Sequence, residues 1–256
     1  MTIEASPGLL VAFVLAVVRA AAWIALVPPF GTRTIPVPVK VGLAAALALP
    51  VADRLAADPP SLEVASLVGA VLLQVAVGLA LGFVTMVALA AVQAAGELID
   101  LFGGFSVAQA FDPLSETTSS LFGRFYQLLA ATLLFAIDGH VLLFRGFLDS
   151  FDAVGLSGPP LGRLSEFALG GVGTFMVAAV EIAAPLLGAL FLAEVGMALL
   201  SRAAPQMNVL AMGFPVKILL TLGLIGLALP VLPGAVDALV ERSVRSGSAV
   251  VELFRT

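Results

Sequence analysis

VASLVGAVLLQVAVGLALGFVTMVALAAVQAAG, residues 64–96, runs without one charged side chain. As a single helix it would reach about 50 Å at ~1.5 Å per residue. The hydrocarbon core of a bilayer is only about 30 Å thick. The stretch is too long for an upright span and too apolar for a water-facing helix. It therefore tilts steeply, breaks near Gly78 or Gly82, or lies partly within protein outside the lipid. Ala70, Gln74, Gly78 and Gly82 recur every four residues, and Gly78-xxx-Gly82 is a spacing that lets membrane helices approach closely. A polar Gln74 on the same face marks that face as protein-directed, so Gln74, Gly78 and Gly82 are candidate subunit-interface residues.

The rest of the chain has the same character. Of its 256 residues 61% are hydrophobic and 11% charged, and the mean hydropathy is +1.14. Soluble domains carry about 45–50% apolar and about 25% charged residues. This composition excludes a water-soluble globule and a disordered chain. The long unbroken apolar runs exclude the alternating strands of a β-barrel. The expected fold is an all-α membrane protein, a single domain over residues 1–256.

Six apolar blocks can be marked, at residues 7–30, 36–52, 64–96, 125–144, 167–201 and 218–236. Blocks 125–144 and 218–236 fit one span of about 20 residues each. Block 36–52 is short. Block 167–201 is long, carries Glu181 and Glu194, and has Pro185 between them, where a kink or split is expected. Kinked or broken helices of this kind suit packing against protein partners in a larger helical assembly. The tail, residues 237–256, mixes charges and is expected to be a short helix outside the lipid. The near-equal division of Lys and Arg between alternate connections favours neither orientation.

Several function classes are removed by simple counts. There is no Cys and one His, so no thiolate or His-based metal site and no Cys nucleophile is expected. The net charge of −5 comes without a basic cluster, so nucleic acid is not an expected partner. Phosphate-binding, serine-hydrolase and zincin motifs are missing, and no cofactor is expected. Met1-Thr2-Ile3-Glu4 lacks the positive start of a secretory signal, so the first apolar block is expected to stay in the mature protein.

Charges at membrane depth cost at least ~2.5–3.5 kcal/mol on insertion scales and are functional candidates by default. Arg19 falls in the middle of the first block, where pairing with a neighbouring helix is preferred to a transport role. Arg124, Gln127, Asp138 and Arg145 fall within about a 60° arc if residues 124–145 form one helix at ~100° per residue. Asp138 is then expected to pair with Arg145. Glu181 and Glu194 lie on nearly opposite faces of a straight helix, which argues against a carboxylate dyad; each is expected to meet a base on another helix or subunit. His140 points away from Asp138 and reads as structural.

Residues 97–120, ELIDLFGGFSVAQAFDPLSETTSS, are too apolar for a surface loop and too broken for a span. Gly103-Gly104 and Asp112-Pro113 interrupt any helix. Irregular backbone at membrane depth survives only inside protein or lining a water-filled cavity. The segment is either a plug or constriction within a pore or a loop packed at an interface.

Several stretches, over nearly the whole chain, follow the pattern of one known family. Near the start, Val27-Pro28-Pro29-Phe30-Gly31 with Arg33-Thr34-Ile35-Pro36 resembles the family's first loop. Asp112-Pro113, Asp138-Gly139-His140 and Ser150-Phe151 follow the family pattern in the middle. The most specific run is Ala204-Pro205-Gln206-Met207-Asn208-Val209 through Gly213-Phe214-Pro215-Val216-Lys217. Glu116 after Ser115 is a departure, because family members often carry a small residue there.

These stretches resemble the FliR family of flagellar type III export-gate proteins, and the resemblance implies a non-enzymatic pore component of the bacterial inner membrane and flagellar basal body. It would join FliP-like and FliQ-like subunits, with an FlhB-like subunit beside them, to pass unfolded flagellar subunits. Family helices can stand partly above the bilayer, which would explain the ill-fitting block lengths. The family's plug loop corresponds to Gly103, Gly104, Phe105, Ser106, Phe111, Asp112 and Pro113, within a loop extending to residue 120. Pro205, Gln206, Met207, Asn208, Phe214, Pro215 and Lys217 are further candidate interface residues. The rival readings are the virulence-type secretion counterpart and, from another class, a secondary transporter, which should show an internal repeat. None is visible in the sequence.

Overall fold

The computed structural model describes residues 7–57, 59–106, 120–156, 161–204, 206 and 209–255. Among them every regular element is helical: α1 (Pro7–Leu26), α2 (Val37–Leu55), α3 (Val64–Gly103), α4 (Leu121–Ala136), α5 (Gly139–Ala153), α6 (Leu161–Ala203), α7 (Val209–Ala228) and α8 (Leu232–Arg255). A 3-10 turn, Leu229–Val231, joins α7 to α8. The fold is that of an all-α membrane protein. Helices satisfy their own backbone groups where water is missing, which is why apolar blocks of this length take no other form.

The six blocks do not become six spans. By length and composition four stretches among the described residues are able to cross a bilayer: Pro7–Leu26, Val64–Gly103, Gly171–Ala203 and Met212–Ser246. The block at 64–96 is one unbroken helix and does not break at Gly78 or Gly82. It extends over 40 residues, about 60 Å at ~1.5 Å per residue. Its extra length comes from the segment read as irregular, whose first residues, 97–103, continue the helix. The block at 125–144, by contrast, is broken. α4 ends at Ala136, Asp138 takes a left-handed φ of 56°, and α5 begins at Gly139. A non-glycine residue in that region ends helical propagation. The expected polar stripe from Arg124 to Arg145 therefore has no continuous helix to run along. Pro185 does not split α6, which continues from one side of it to the other.

The chain divides into two compact units. The first comprises Met1–Ala88, Asp138–Gly173 and Val240–Thr256; the second comprises Leu89–Ile137 and Thr174–Leu239. In the first unit α1 presents Ala12, Leu15, Ala16, Arg19, Ala20 and Trp23 as a buried stripe at helical spacing. Small residues let the backbones meet. A Cβ at Gly78 would strike the carbonyl of Arg19 and lie 2.8 Å from the Ala22 Cβ, and one at Gly82 would lie 3.0 Å from the Trp23 carbonyl. These glycines thus serve the crossing of α1 over α3 within the chain, which corrects their assignment to a subunit interface. Further along, Ala12, Leu15, Ala70 and Leu156 form a cluster covered by Val11, Leu55 and Ala56. Phe144, Phe147 and Phe151 line one face of α5. Trp23 stacks on Phe147 at 4.7 Å and meets Phe144 edge-on at 5.9 Å.

In the second unit α4 buries Phe122, Tyr126, Ala130 and Leu134, one residue per turn. α6 buries Phe175, Ala178, Ala179, Ile182, Ala183, Leu186 and Leu190 in the same rhythm. The end of α3 contributes Val92, Ala95 and Ile99. α8, which runs on into the tail, buries Leu232, Val236 and Leu239 in this unit and Val240 in the first.

Gly78→Leu is expected to destabilise the purified protein by about 2 kcal/mol or more, because the inserted side chain forces two backbones apart. Gly69→Leu, on the same helix but facing open space, should change it by less than about 0.5 kcal/mol. Thermal unfolding in detergent measures both.

Candidate functional site

Arg19 is completely buried in α1, and the chain surrounds it with acceptors. Its Nε donates to Gln74 Oε1 at 2.6 Å. Nη1 donates to the Ser150 carbonyl at 3.2 Å, and Nη2 to the carbonyls of Val154 and Gly155 at 2.7 and 2.8 Å. The guanidinium also lies over the Phe151 ring, 4.2 Å from its centroid. Gln74 in turn donates to the Leu156 carbonyl at 3.0 Å and is itself fully buried. The carbonyls belong to the last turn of α5 and the residues just after it. The Ser150 carbonyl also accepts the Val154 amide at 3.0 Å, while those of Val154 and Gly155 follow the helix end, on the negative side of its dipole. One arginine thus closes the end of α5 onto α1 and α3. Gln74 faces the chain's own interior, not a partner subunit.

The other polar residues singled out from the sequence lie elsewhere. Arg124, Gln127, Asp138, Arg145, Glu181 and Glu194 are exposed on the chain, so of that set Arg19 alone is buried in its core. Asp138 occupies the break between α4 and α5. His140 sets its ring edge-on to Phe144 at 6.3 Å. Glu194 of α6 and Lys217 of α7 are brought together, at 3.1 Å. The lysine is mostly covered and the glutamate is half exposed. Arg54 and Asp152 form an exposed pair at 2.9 Å. Lys40 donates to the carbonyls of Gly31 and Thr32 at 3.1 and 2.8 Å, which holds the proline-rich first connection together.

At the end of α3 lie the first residues of the segment read from the sequence as a plug. Gly103 ends the helix, Gly104 takes a left-handed φ of 85°, and Phe105 and Ser106 follow. A Cβ at Gly103 would lie 2.7 Å from Thr221 Oγ1 of α7, and one at Gly104 would lie 3.2 Å from the Phe214 ring. Phe105 meets Phe122 edge-on at 5.1 Å. Phe111, Asp112 and Pro113 lie outside the described residues, as do Pro205, Met207 and Asn208. Gln206 and Pro215 are exposed, and Phe214 is half-buried.

Sequence reasoning missed Asp100, which is buried three residues before the end of α3. Its Oδ2 accepts the Ser120 hydroxyl and, at 3.0 Å, the Phe122 amide. A signal was present: an acid in the last turn opposes its own helix dipole and needs donors from another element. Among the described residues no group of three or more His, Cys, Asp or Glu side chains is arranged to hold a metal ion. The arrangement offers helix closure, a tight chain reversal and broad apolar faces.

Comparison with known proteins gives a consistent picture. Residues 10–243 match the family described as bacterial export proteins, family 1. The chain is 32% identical over 212 residues to the flagellar biosynthetic protein FliR of Bacillus subtilis, covering 81% of this chain and 82% of that one. It is 32% identical over 216 residues to FliR of Escherichia coli, covering 84% and 82%. The Yop proteins translocation protein T of Yersinia pestis is 29% identical over 184 residues, 70% of each chain.

Arg19→Leu would leave Gln74 and three carbonyls buried without their donor, and should cost about 3 kcal/mol or more. Arg19→Lys should restore little, because an ammonium cannot reach acceptors spread around a planar fork. Arg54→Leu, at an exposed pair, should cost less than about 1 kcal/mol. Thermal unfolding of the three variants decides whether this ranking holds.

Proposed function

The chain belongs to the bacterial export proteins, family 1, and from that membership we propose that it is a non-enzymatic subunit of the flagellar type III protein export gate. The observation that carries the reading is the breadth of the likeness to flagellar relatives, which extends over more than four-fifths of the chain. The virulence-type reading remains within the same family and ranks second, because its relatives match less of the chain. A secondary transporter has less support. Asp138 and Glu181 are exposed, and Glu194 is engaged by Lys217.

The gate reading extends to partners. α3 is about twice as long as the ~30 Å hydrocarbon core, so a large part of its apolar surface must find protein rather than lipid. Leu72, Leu192, Leu219 and Leu227 are each more than two-thirds exposed or close to it on the single chain. Such surface suits lateral packing by FliP-like and FliQ-like subunits, with an FlhB-like subunit nearby, in the cytoplasmic membrane. The exported chains are unfolded, so the conduit needs no catalytic groups, only a seal. Residues 103–113 supply that seal. The sharp turn at Gly104 supports a segment that leaves α3 abruptly, and its Phe105 meets Phe122 of α4.

Co-expression with FliP-like and FliQ-like chains should yield one detergent-stable complex, and loss of this chain should abolish flagella. Deleting residues 103–113 should make cells overproducing the complex leak ions. Unchanged permeability with the complex assembled removes the plug. Replacing Gln206 or Asn208 by Ala should lower complex recovery several-fold, since polar groups between apolar blocks need partners.

A further inference from the structure

We propose that Asp100 is the positioning residue of the plug, a clamp that ties the two ends of its loop together at the neck. This inference rests on the plug reading above for its consequence, but not for its geometry. The loop leaves α3 at Gly103 and returns at Ser120, the first residue before α4. Asp100 engages both sides of that neck. On the departing side its carbonyl accepts the Ser106 hydroxyl at 3.4 Å. On the returning side its carboxylate accepts the Ser120 hydroxyl and the Phe122 amide.

Ser120 acts as a relay. A serine hydroxyl has one proton to donate and lone pairs to accept. Here it donates to Asp100 and accepts the Gly123 amide at 2.8 Å. Two of the amides that α4 cannot pair within itself, those of Phe122 and Gly123, are thereby satisfied directly or through one hydroxyl. The negative charge also lies at the positive end of the α4 dipole. The carboxylate is therefore held where α4 begins.

The surroundings make the clamp tight. A Cβ at Gly96 would overlap the Phe122 carbonyl, and one at Gly123 would lie 2.7 Å from Glu97 Cγ. The two backbones thus touch one turn below Asp100. Phe105 and Phe122 close the other side edge to face. With Asp100 only 3% exposed, water cannot readily replace the donors it holds.

The chain has no cysteine, so spin labels can be placed cleanly at Leu101→Cys and Leu121→Cys. Both side chains are exposed and flank the clamp. In the assembled complex the label pair should give one narrow distance distribution. Asp100→Ala should broaden it, and Asp100→Asn, which keeps one acceptor oxygen, should broaden it less. A second readout is entry of a membrane-impermeant dye. Asp100→Ala should raise it at least tenfold over the wild type, Ser120→Ala should raise it too, and the double variant should not exceed Asp100→Ala alone. A distance distribution unchanged in both Asp100 variants overturns the clamp. So does a tight Asp100→Ala complex when the loop deletion leaks. If the deletion itself does not leak, the plug reading fails, and the distance measurement still decides the clamp.

Discussion

A guanidinium in the middle of an apolar helix must be paid for by acceptors, and where those acceptors come from fixes the first unit of this protein. Arg19 draws one acceptor from α3 and three from the end of α5. It cannot keep them unless α1 lies directly against both. The glycines at 78 and 82 are the steric counterpart of that demand, because they remove the side chains that would hold α3 away from the Arg19 and Trp23 backbone. The aromatic row on α5 then finds Trp23 at the correct height. Polar satisfaction, small residues and ring packing thus specify one helix crossing three times over. Such agreement between levels is what gives a chain a single preferred arrangement.

The second unit uses the same logic at a helix start. Asp100 brings charge to the amides of α4, as Arg19 brings charge to the carbonyls of α5. Each unit therefore has a helix terminus at which a residue far away in sequence adds to the cap that the flanking residues supply. In a membrane protein this device has a clear physical advantage. Water is scarce, and the unpaired groups at helix ends must be met by protein. A cap supplied from another helix also fixes where the two helices meet.

These caps coexist with helix faces that stay exposed among the described residues. The outward rows of α6 and α7 carry large apolar side chains, and α3 exceeds the thickness of the bilayer core. Membership of an export-gate family gives both features a purpose. On the reading proposed above, a gate subunit needs a stable interior to hold its shape, surfaces to share with neighbours, and a seal anchored firmly enough to close yet free to move aside.

The sequence by itself determined the class and much of the role. Uninterrupted apolar blocks leave helices in a membrane as the only economical state, and the run from Ala204 to Lys217 carries the family likeness. It also marked Arg19 as a residue needing partners, because a mid-span charge is costly wherever it goes. Tertiary structure alone decided which partners. Gln74, Gly78 and Gly82 share a face that periodicity reveals, yet periodicity does not say whether that face meets a neighbouring subunit or the chain's own α1. The assumed helix from Arg124 to Arg145 failed for a related reason: the left-handed turn at Asp138 is a local backbone choice that helical spacing cannot register. Asp100 stayed hidden because its meaning depends on Ser120 and Phe122, twenty residues on, being folded back to meet it.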